Sequence, residues 1–311
     1  MAPTPARVDL GQRPAPELAD FARLVQERGL TVQGIHLHRR GRPDVEARFR
    51  SDDPIHVFSC SKTFTALAFG ILHGQGRIGL EDRLLDLVPT ERDPAEGVEA
   101  VTMGHLLTMT SGSSATVFTD EEKLSSDVAG DFVSAPLLTT PGERFEYSNG
   151  STYMLGRAVA AVAGENLRDF LMPRLFLPLG ILNPLWAECR AGHTWSAFGL
   201  HLRTDELARL GRLLLQRGQW HGEQLVPAGW VDAMHAHWVP TLRDDEPEAA
   251  GYGFQVWECT PRGAWRADGN RGQFVVVLPE QDAVVTVTSH EEFAMYDVLR
   301  AVWDGVLPHL G

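Results

Sequence analysis

The chain has 311 residues, enough for one large domain or two modest ones, with 43% hydrophobic and 22% charged residues. This balance is typical of a globular protein with a sizeable core and excludes an intrinsically disordered chain. The formal net charge of −13 argues against a nucleic-acid-binding surface, which would be basic. No apolar stretch reaches the roughly 18–20 residues that span a bilayer, so neither nucleic acid nor a membrane is an expected partner.

The N-terminal segment and the cysteines indicate a cellular compartment. Charged residues, among them Arg7 and Asp9, interrupt the region where a signal peptide would have its apolar core. The cysteines Cys60, Cys189 and Cys259 are odd in number and too few for a disulfide scaffold. We therefore expect a cytoplasmic protein with free thiols.

The first predicted elements are a helix, a hairpin and a second helix. Apolar residues recur at helical spacing from Ala15 to Gly29. Residues 31–38 and 45–50 are predicted strands with turn residues between them. Ser59 opens the second helix, which has an apolar face and ends at Gly74.

The middle and the end of the chain differ in character. Between residues 82 and 192 there is little strand signal, and short helical pieces alternate with loops. Thereafter the pattern predicts a helix over 205–216, strands over 252–258, 273–278 and 283–289, and a helix over 293–306.

The two ends therefore supply strands and the middle supplies helices, which predicts an α/β fold of the α+β type, an antiparallel sheet flanked by helices. Residues 1–82 and 193–311 would form the sheet domain, and residues 83–192 an inserted, mostly helical lobe. We expect the active site in the cleft between them, because ligand sites are common at such boundaries.

The strongest local motif is Ser59-Cys60-Ser61-Lys62, an S-x-x-K sequence at a predicted helix start. Residues three apart share one helix face, so the serine hydroxyl and the lysine amine can meet. A serine is a weak nucleophile that needs a base, and a buried lysine can serve as one. A capping serine and a solvated lysine are the alternative. The apolar residues on both sides of the motif favour catalysis, because they place the serine and the lysine in buried surroundings. Lysine is also rare in this chain, which has only one other, Lys123.

A second candidate motif is Tyr147-Ser148-Asn149, which follows a long polar connection. A tyrosine can relay protons, and an asparagine can hold a substrate amide or orient the lysine. The same three residues could also be an ordinary turn.

With these motifs in place, the chain resembles the serine β-lactamase and penicillin-binding-protein superfamily. It is most similar to the branch that holds class C β-lactamases, DD-peptidases and related esterases. The resemblance rests on five segments in the family's order, residues 57–84, 101–112, 141–150, 198–215 and 269–289. It implies the β-lactamase/transpeptidase-like fold.

The resemblance also implies roles for the residues that match. Ser59 would be the acylated nucleophile. Lys62 and Tyr147 would share the proton transfer, with Tyr147 favoured as the base. Asn149 would contact both the substrate and Lys62.

The family's third motif, Lys or His, then a small residue, then Gly, corresponds here to Asn270-Arg271-Gly272. We expect Gly272 to keep the position of close approach. The backbone N–H of Gln273 is expected to pair with that of Ser59 as the oxyanion hole. Asn270 is neutral, so recognition of a β-lactam or peptide carboxylate is in doubt. Arg271 could compensate, although strand alternation would point it away from Asn270.

Two further patterns predict no function. Residues 74–79 fit GxGxxG, but a helix rather than a strand precedes them, so we expect no dinucleotide cofactor. His36 with His38, and His235 with His237, form H-x-H pairs without a carboxylate partner in sequence, so we expect no metal site.

The sequence thus predicts a metal- and cofactor-independent serine hydrolase that forms a covalent acyl-enzyme with a small ester or amide, as a carboxylesterase or amidase does. A β-lactamase or DD-carboxypeptidase acting on a lactam or peptide is the alternative within the enzyme class. A non-catalytic, ligand-binding member is the alternative of another class.

Overall fold

A computed structural model describes residues 14–115, 125–243 and 246–310. Its main feature is an eight-stranded sheet in which every pairing is antiparallel. The strands in chain order are β1 (Val32–Arg39), β2 (Val45–Arg48), β3 (Ile55–His56), β4 (His201–Leu202), β5 (Gln219–Trp220), β6 (Glu223–Gln224), β7 (Val239–Pro240), β8 (Gly251–Tyr252), β9 (Trp257–Glu258), β10 (Trp265–Gly269), β11 (Gln273–Leu278) and β12 (Ala283–Ser289). The sheet has the order β2-β1-β12-β11-β10-β9-β8-β7, while β3 pairs with β4 and β5 with β6.

The sheet joins the two ends of the chain, as predicted. Strand β1 pairs with β12, and Ile35 lies opposite Val287. Strands β11 and β12 are buried along their whole length. Helices cover both faces of the sheet here, so side chains on both faces are buried. The sequences of these strands are therefore nearly continuous apolar runs instead of alternating apolar and polar residues.

The helices surround this sheet and fill the middle of the chain, as predicted. They are α1 (Pro16–Glu27), α2 (Cys60–Gly74), α3 (Leu84–Leu87), α4 (Met103–Leu107), α5 (Val128–Ser134), α6 (Asn149–Ala163), α7 (Leu167–Leu171), α8 (Thr204–Leu215), α9 (Ala228–Met234) and α10 (Met295–Gly305). In the described ranges, none is both long and apolar enough to cross a membrane.

Each face of the sheet has its own core. Helices α1 and α10 cover one face, where Phe21 packs with Phe274 and its neighbours. On the other face, Val275 and Val284 belong to a larger core that continues into the helical middle of the chain. Helix α2 lies inside this larger core. Its residues from Cys60 to Leu72 are all buried, whereas the sequence pattern predicted a single apolar face. The division into two domains stays a prediction.

The prediction of one continuous strand over 252–258 is wrong. It is two short strands, β8 and β9, separated by a turn in which Gln255 has φ 60°. The buried Gln255 amide donates to the carbonyls of Leu106 and Leu107, at 3.1 and 2.8 Å. These bonds hold the turn against α4, where a straight strand could not reach.

Strand β10 was not predicted, although it lies in the middle of the sheet between β9 and β11. Its sequence, Trp-Arg-Ala-Asp-Gly, has two charged residues, which are rare in central strands. In the structure the two residues, Arg266 and Asp268, form an ion pair inside the protein. Because each charge has a partner, the segment can lie in the middle of the sheet.

Candidate active site

Ser59 lies at the N-terminus of the buried helix α2. Phe58, just before it, has φ 48°, in the left-handed region that non-glycine residues rarely adopt. Ser59 is the N-cap residue, yet its side chain makes no capping hydrogen bond. The hydroxyl group is therefore available to other side chains.

Lys62 follows one helical turn later and is 1% exposed. Its Nζ donates to Ser59 Oγ at 3.0 Å, to Asn149 Oδ1 at 2.7 Å and to the Ala197 carbonyl at 2.9 Å. Burial lowers the pKa of Lys62 to about 7, although the Asp268 carboxylate acts in the opposite direction. Near neutral pH the amine can therefore lose a proton and accept one from the serine.

Tyr147 lies beside this pair. Lys62 Nζ is 5.0 Å from the centre of its ring, and Trp257 stacks on the ring with the centroids 5.5 Å apart. Burial raises the pKa of the Tyr147 phenol, and a hydrogen bond with Ser59 lowers it by less. The phenol is therefore neutral in the resting site.

The start of helix α6 positions Asn149. Ser148 caps this helix by accepting a hydrogen bond from the Ser151 amide at 3.0 Å, and its hydroxyl donates to the Ala115 carbonyl at 3.1 Å. The cap fixes where α6 begins, and the first helical side chain reaches Lys62. The structure thus brings together Ser59, Lys62, Tyr147 and Asn149 from two helices and a loop.

The third-motif glycine is not where the sequence predicted it. A Cβ on Gly272 would lie 3.2 Å from Ser289 Cβ, so Gly272 is close to the end of β12. A Cβ on Gly269 would lie 2.4 Å from the Val57 carbonyl. Gly269 therefore makes the close approach to the segment before Ser59. Residues 271 and 272 have φ 63° and 83° in the turn between β10 and β11, so Gly272 belongs to the turn and Gly269 to the strand.

The other residues of this hairpin lie near the site. Asn270 is exposed, and its Oδ1 accepts a hydrogen bond from the Arg271 amide at 2.8 Å. The Arg271 guanidinium carbon is 5.7 Å from the centre of the Phe58 ring. The Gln273 carbonyl accepts a hydrogen bond from Cys60 Sγ at 3.6 Å, so this backbone is beside the first turn of α2. The oxyanion role of the Gln273 amide stays a prediction.

One buried residue near the site was missed. Asp268 precedes Gly269 on β10, and its side chain is 10% exposed. Its carboxylate raises the pKa of Lys62, against the larger lowering by burial. No local pattern singles it out, because its importance depends on which strands pair.

The remaining motifs contribute nothing to this site. Residues 74–79 follow α2 as a helix end and a turn. His38 Nδ1 lies 2.6 Å from Asp44 Oδ1, and His36 Nε2 lies 3.5 Å from Asp44 Oδ2, so this pair has a carboxylate partner that the sequence did not reveal. In the described ranges, no three or more His, Cys, Asp or Glu side chains are arranged to hold a metal ion.

An antiparallel sheet flanked by helices, with an S-x-x-K serine beginning a buried helix, defines the class of β-lactamase and transpeptidase-like folds. A family model described as Beta-lactamase matches residues 23–303, and the chain belongs to this family. The resemblance drawn from the sequence is therefore confirmed.

The chain is also similar to individual known proteins and solved structures. The chain is 26% identical to Protein flp of Staphylococcus aureus strain MW2 over 171 residues, 52% of this chain and 34% of that protein. It spans about a third of the length of the curated relatives it matches first. Two solved structures share the fold. A penicillin-binding protein from Bacillus halodurans has a TM-score of 0.71, 18% identity, and coverage of 91% of this chain and 98% of that one. A penicillin-binding protein homologue from Caulobacter crescentus has a TM-score of 0.73, 15% identity, and coverage of 94% and 99%.

Proposed function

We propose that the protein is a serine hydrolase that cleaves small esters or amides through a covalent acyl-enzyme at Ser59. The observation that carries the proposal is the contact of Lys62 Nζ with Ser59 Oγ at 3.0 Å, made by a lysine whose burial lowers its pKa to about 7. A serine needs such a base, because its hydroxyl is otherwise a weak nucleophile at neutral pH.

Each residue of the site has a separate role in acylation and deacylation. The neutral Lys62 amine takes the Ser59 proton as Oγ bonds to the substrate carbonyl carbon, and backbone N–H groups stabilise the oxyanion. Tyr147, neutral in the resting site, gives its proton to the leaving alcohol or amine as the bond of that group to carbon breaks, and regains a proton from the protonated Lys62. In the second half, the neutral Lys62 takes a proton from the water that attacks the acyl-enzyme ester. Lys62 returns this proton to Ser59 Oγ as the ester bond breaks, which releases the acid and restores the Ser59 hydroxyl. Because burial raises the pKa of Tyr147, we favour Lys62 over Tyr147 as the first proton acceptor.

The substrate class rests on the hairpin near the site. Asn270 is neutral and exposed, and its side-chain oxygen is engaged by the neighbouring Arg271 amide. Asn270 itself therefore offers no charge to a substrate carboxylate, and the cation of this hairpin, Arg271, lies against the Phe58 ring. We favour a carboxylesterase or amidase because Asn270 is neutral, with a β-lactamase or DD-carboxypeptidase as the alternative.

The test is hydrolysis of a short-chain p-nitrophenyl ester by the wild type, Ser59→Ala and Lys62→Ala. We expect each variant to reduce kcat/KM by about 10⁴-fold or more, because nucleophile and base act as a unit. Ser51→Ala and Arg23→Ala, at an exposed serine and an exposed cation, are controls that should keep full activity. Equal turnover by the wild type and Ser59→Ala would contradict the proposal.

The same proteins then separate the alternatives. A panel of esters, anilides and β-lactams assigns the substrate class, and faster turnover of β-lactams than of esters would favour the β-lactamase alternative. Mass spectrometry after reaction with a fluorophosphonate should find one adduct, on Ser59. A folded protein with neither an adduct nor turnover would favour a non-catalytic, ligand-binding role.

A further inference from the structure

Two stacked histidines hold one buried glycine beside the candidate site. The rings of His56 and His201, on the paired strands β3 and β4, have their centres 5.1 Å apart and are inclined by 20°. His56 Nε2 accepts a hydrogen bond from the Gly199 amide at 2.7 Å. His201 Nδ1 donates to the Gly199 carbonyl at 3.1 Å, because a carbonyl can only accept. The histidine pair therefore fixes both the amide and the carbonyl of this glycine.

Gly199 belongs to the segment that gives Lys62 one of its oxygen acceptors. Lys62 Nζ donates to the Ala197 carbonyl at 2.9 Å, two residues before Gly199. Thr65, on the same helix α2, donates through its hydroxyl to the Ser196 carbonyl at 2.8 Å. Helix α2 thus holds two consecutive carbonyls of this segment, and the histidine pair holds the glycine that follows them. The path of the backbone past the lysine amine is set between these two groups of bonds.

His56 also contacts the residue before the candidate nucleophile. Its ring centre lies 4.1 Å from that of Phe58, whose φ of 48° is rare for a residue other than glycine. The Arg271 guanidinium carbon is 5.7 Å from the centre of the Phe58 ring. One histidine therefore contacts both the residue that precedes Ser59 and the segment that binds Lys62.

The acceptor role requires a neutral imidazole. A protonated ring carries a hydrogen on both nitrogens, so Nε2 of His56 could no longer accept from the Gly199 amide. Among the described residues, the titratable groups that face His56 are His201 on β4 and Arg271 in the turn after β10. Burial, with these two groups, lowers the pKa of His56 to about 4. The ring is therefore neutral in the pH range in which Lys62 exchanges its proton.

We propose that His56 is a positioning residue for Lys62. Its neutral Nε2, together with His201, holds Gly199 in place. The Ala197 carbonyl, two residues earlier, then stays within hydrogen-bond distance of the lysine amine. This role needs no contact of the imidazole with substrate or nucleophile. The inference deepens the proposed function, on which its catalytic meaning rests, but its test does not need turnover.

Two substitutions of His56 separate the hydrogen bond from the ring. His56→Gln keeps an acceptor and loses the ring, whereas His56→Phe keeps a ring that can stack and loses the acceptor. His237→Phe, at an exposed histidine, is the matched control. Amide hydrogen exchange at Gly199 should be about tenfold or more faster in His56→Phe, because the buried amide then lacks its partner. The other two variants should keep the wild-type exchange rate.

The lysine amine reports the consequence for the candidate base. The chain has only two lysines, Lys62 and Lys123, so ¹³C labelling of the lysine ε-carbon gives two side-chain signals, which Lys123→Arg assigns. We expect His56→Phe to lower the midpoint of the Lys62 titration by about half a pH unit, since an ammonium group that loses an acceptor is disfavoured. His56→Gln should keep the wild-type midpoint. A merely structural role would lower stability without moving this midpoint.

A wild-type Lys62 midpoint in folded His56→Phe would overturn the inference. Equal shifts in His56→Gln and His56→Phe would also overturn it, because they would assign the effect to the ring instead of the acceptor. If His56→Phe does not fold, His201→Phe tests the other half of the pair. It should shift the midpoint in the same direction but by less, because the Ala187 amide still donates to the Gly199 carbonyl at 3.0 Å. An unshifted midpoint in that variant would then overturn the inference.

Turnover separates this inference from the proposed hydrolase. A shifted Lys62 midpoint in a protein without Ser59-dependent turnover would support the role of His56 and overturn the hydrolase. In an active protein, His56→Phe should reduce kcat by about tenfold or more with little change in KM, because a displaced base impairs the chemical step. His56→Gln should restore most of this loss. A loss of kcat as large in His56→Gln as in His56→Phe would contradict the role of the acceptor.

Discussion

Lys62 determines what the candidate site can do, and its protonation is linked to the stability of the fold. Its ammonium group is buried and has three oxygen acceptors, which offset only part of the cost of removing a charge from water. The S-x-x-K spacing predicted the contact with Ser59, because three residues along a helix return to the same face. The resemblance to the family, and not this spacing, predicted the contact with Asn149. The Ala197 carbonyl, which is distant in sequence, was not predicted.

A pH-dependent stability follows from this residue. The pKa of Lys62 is about 7 in the folded chain and about 10.4 in an unfolded one, so the unfolded state binds more protons between these values. Wild-type stability should therefore gain from Lys62 as pH rises from 7 to 9, by about 2 kcal/mol relative to Lys62→Met. Urea unfolding of both proteins at each pH measures this difference.

The control for this prediction is Gln26→Ala, at an exposed and uncharged position of α1, which should keep the pH dependence of the wild type. Parallel stability curves for the wild type and Lys62→Met across this range would mean that Lys62 does not change its protonation on unfolding.

At the scale of elements, strand β10 positions the hairpin against the start of α2. Its last residue, Gly269, has no room for a side chain, because a Cβ would lie 2.4 Å from the Val57 carbonyl and 2.9 Å from Gln273 Cβ. The strand must therefore stay close to the backbone that leads into Ser59.

The prediction at this scale concerns Gly269→Ala. The added methyl group should push β10 away from residue 57, lower the unfolding free energy by about 1–3 kcal/mol and reduce Ser59-dependent turnover. Gly229→Ala is the matched control, because a Cβ there meets nothing within 4 Å, and helix α9 should tolerate it. Equal stability and turnover of the two variants would show that the close approach at Gly269 is unimportant.

At the scale of the whole molecule, Gln255 connects the sheet to the helical middle of the chain. Its Nε2 donates to the Leu106 and Leu107 carbonyls, and its Oε1 accepts from Thr152 Oγ1 at 2.7 Å. The backbone carbonyl of the same residue accepts from Thr63 Oγ1 at 3.0 Å. One buried residue between β8 and β9 thus contacts helices α2, α4 and α6.

Gln255→Ala should therefore destabilise the entire fold. Three buried polar partners would each lose one hydrogen bond, and we expect a loss of about 2–5 kcal/mol in the free energy of unfolding. Urea denaturation measures it, with Gln26→Ala on the exposed surface of α1 as the control. A variant as stable as that control would mean that water replaces these bonds without cost.

The sequence alone was sufficient for the features that depend on near neighbours. Helical spacing predicted α1, α2 and α8, apolar runs predicted β1, β11 and β12, and S-x-x-K predicted the serine–lysine contact. Each of these patterns is set by residues within a few positions, so local physical chemistry decides it.

Only the tertiary structure decided the features that depend on distant partners. Strand β10 with its ion pair, the split at Gln255 and the close approach of Gly269 rather than Gly272 could not be read from the chain. A charged residue is stable in a central strand only when its counter-ion is buried beside it. A glycine is required only where another segment of backbone comes close. Both conditions are set by strand pairing and packing, which bring residues 57 and 269 together across the fold.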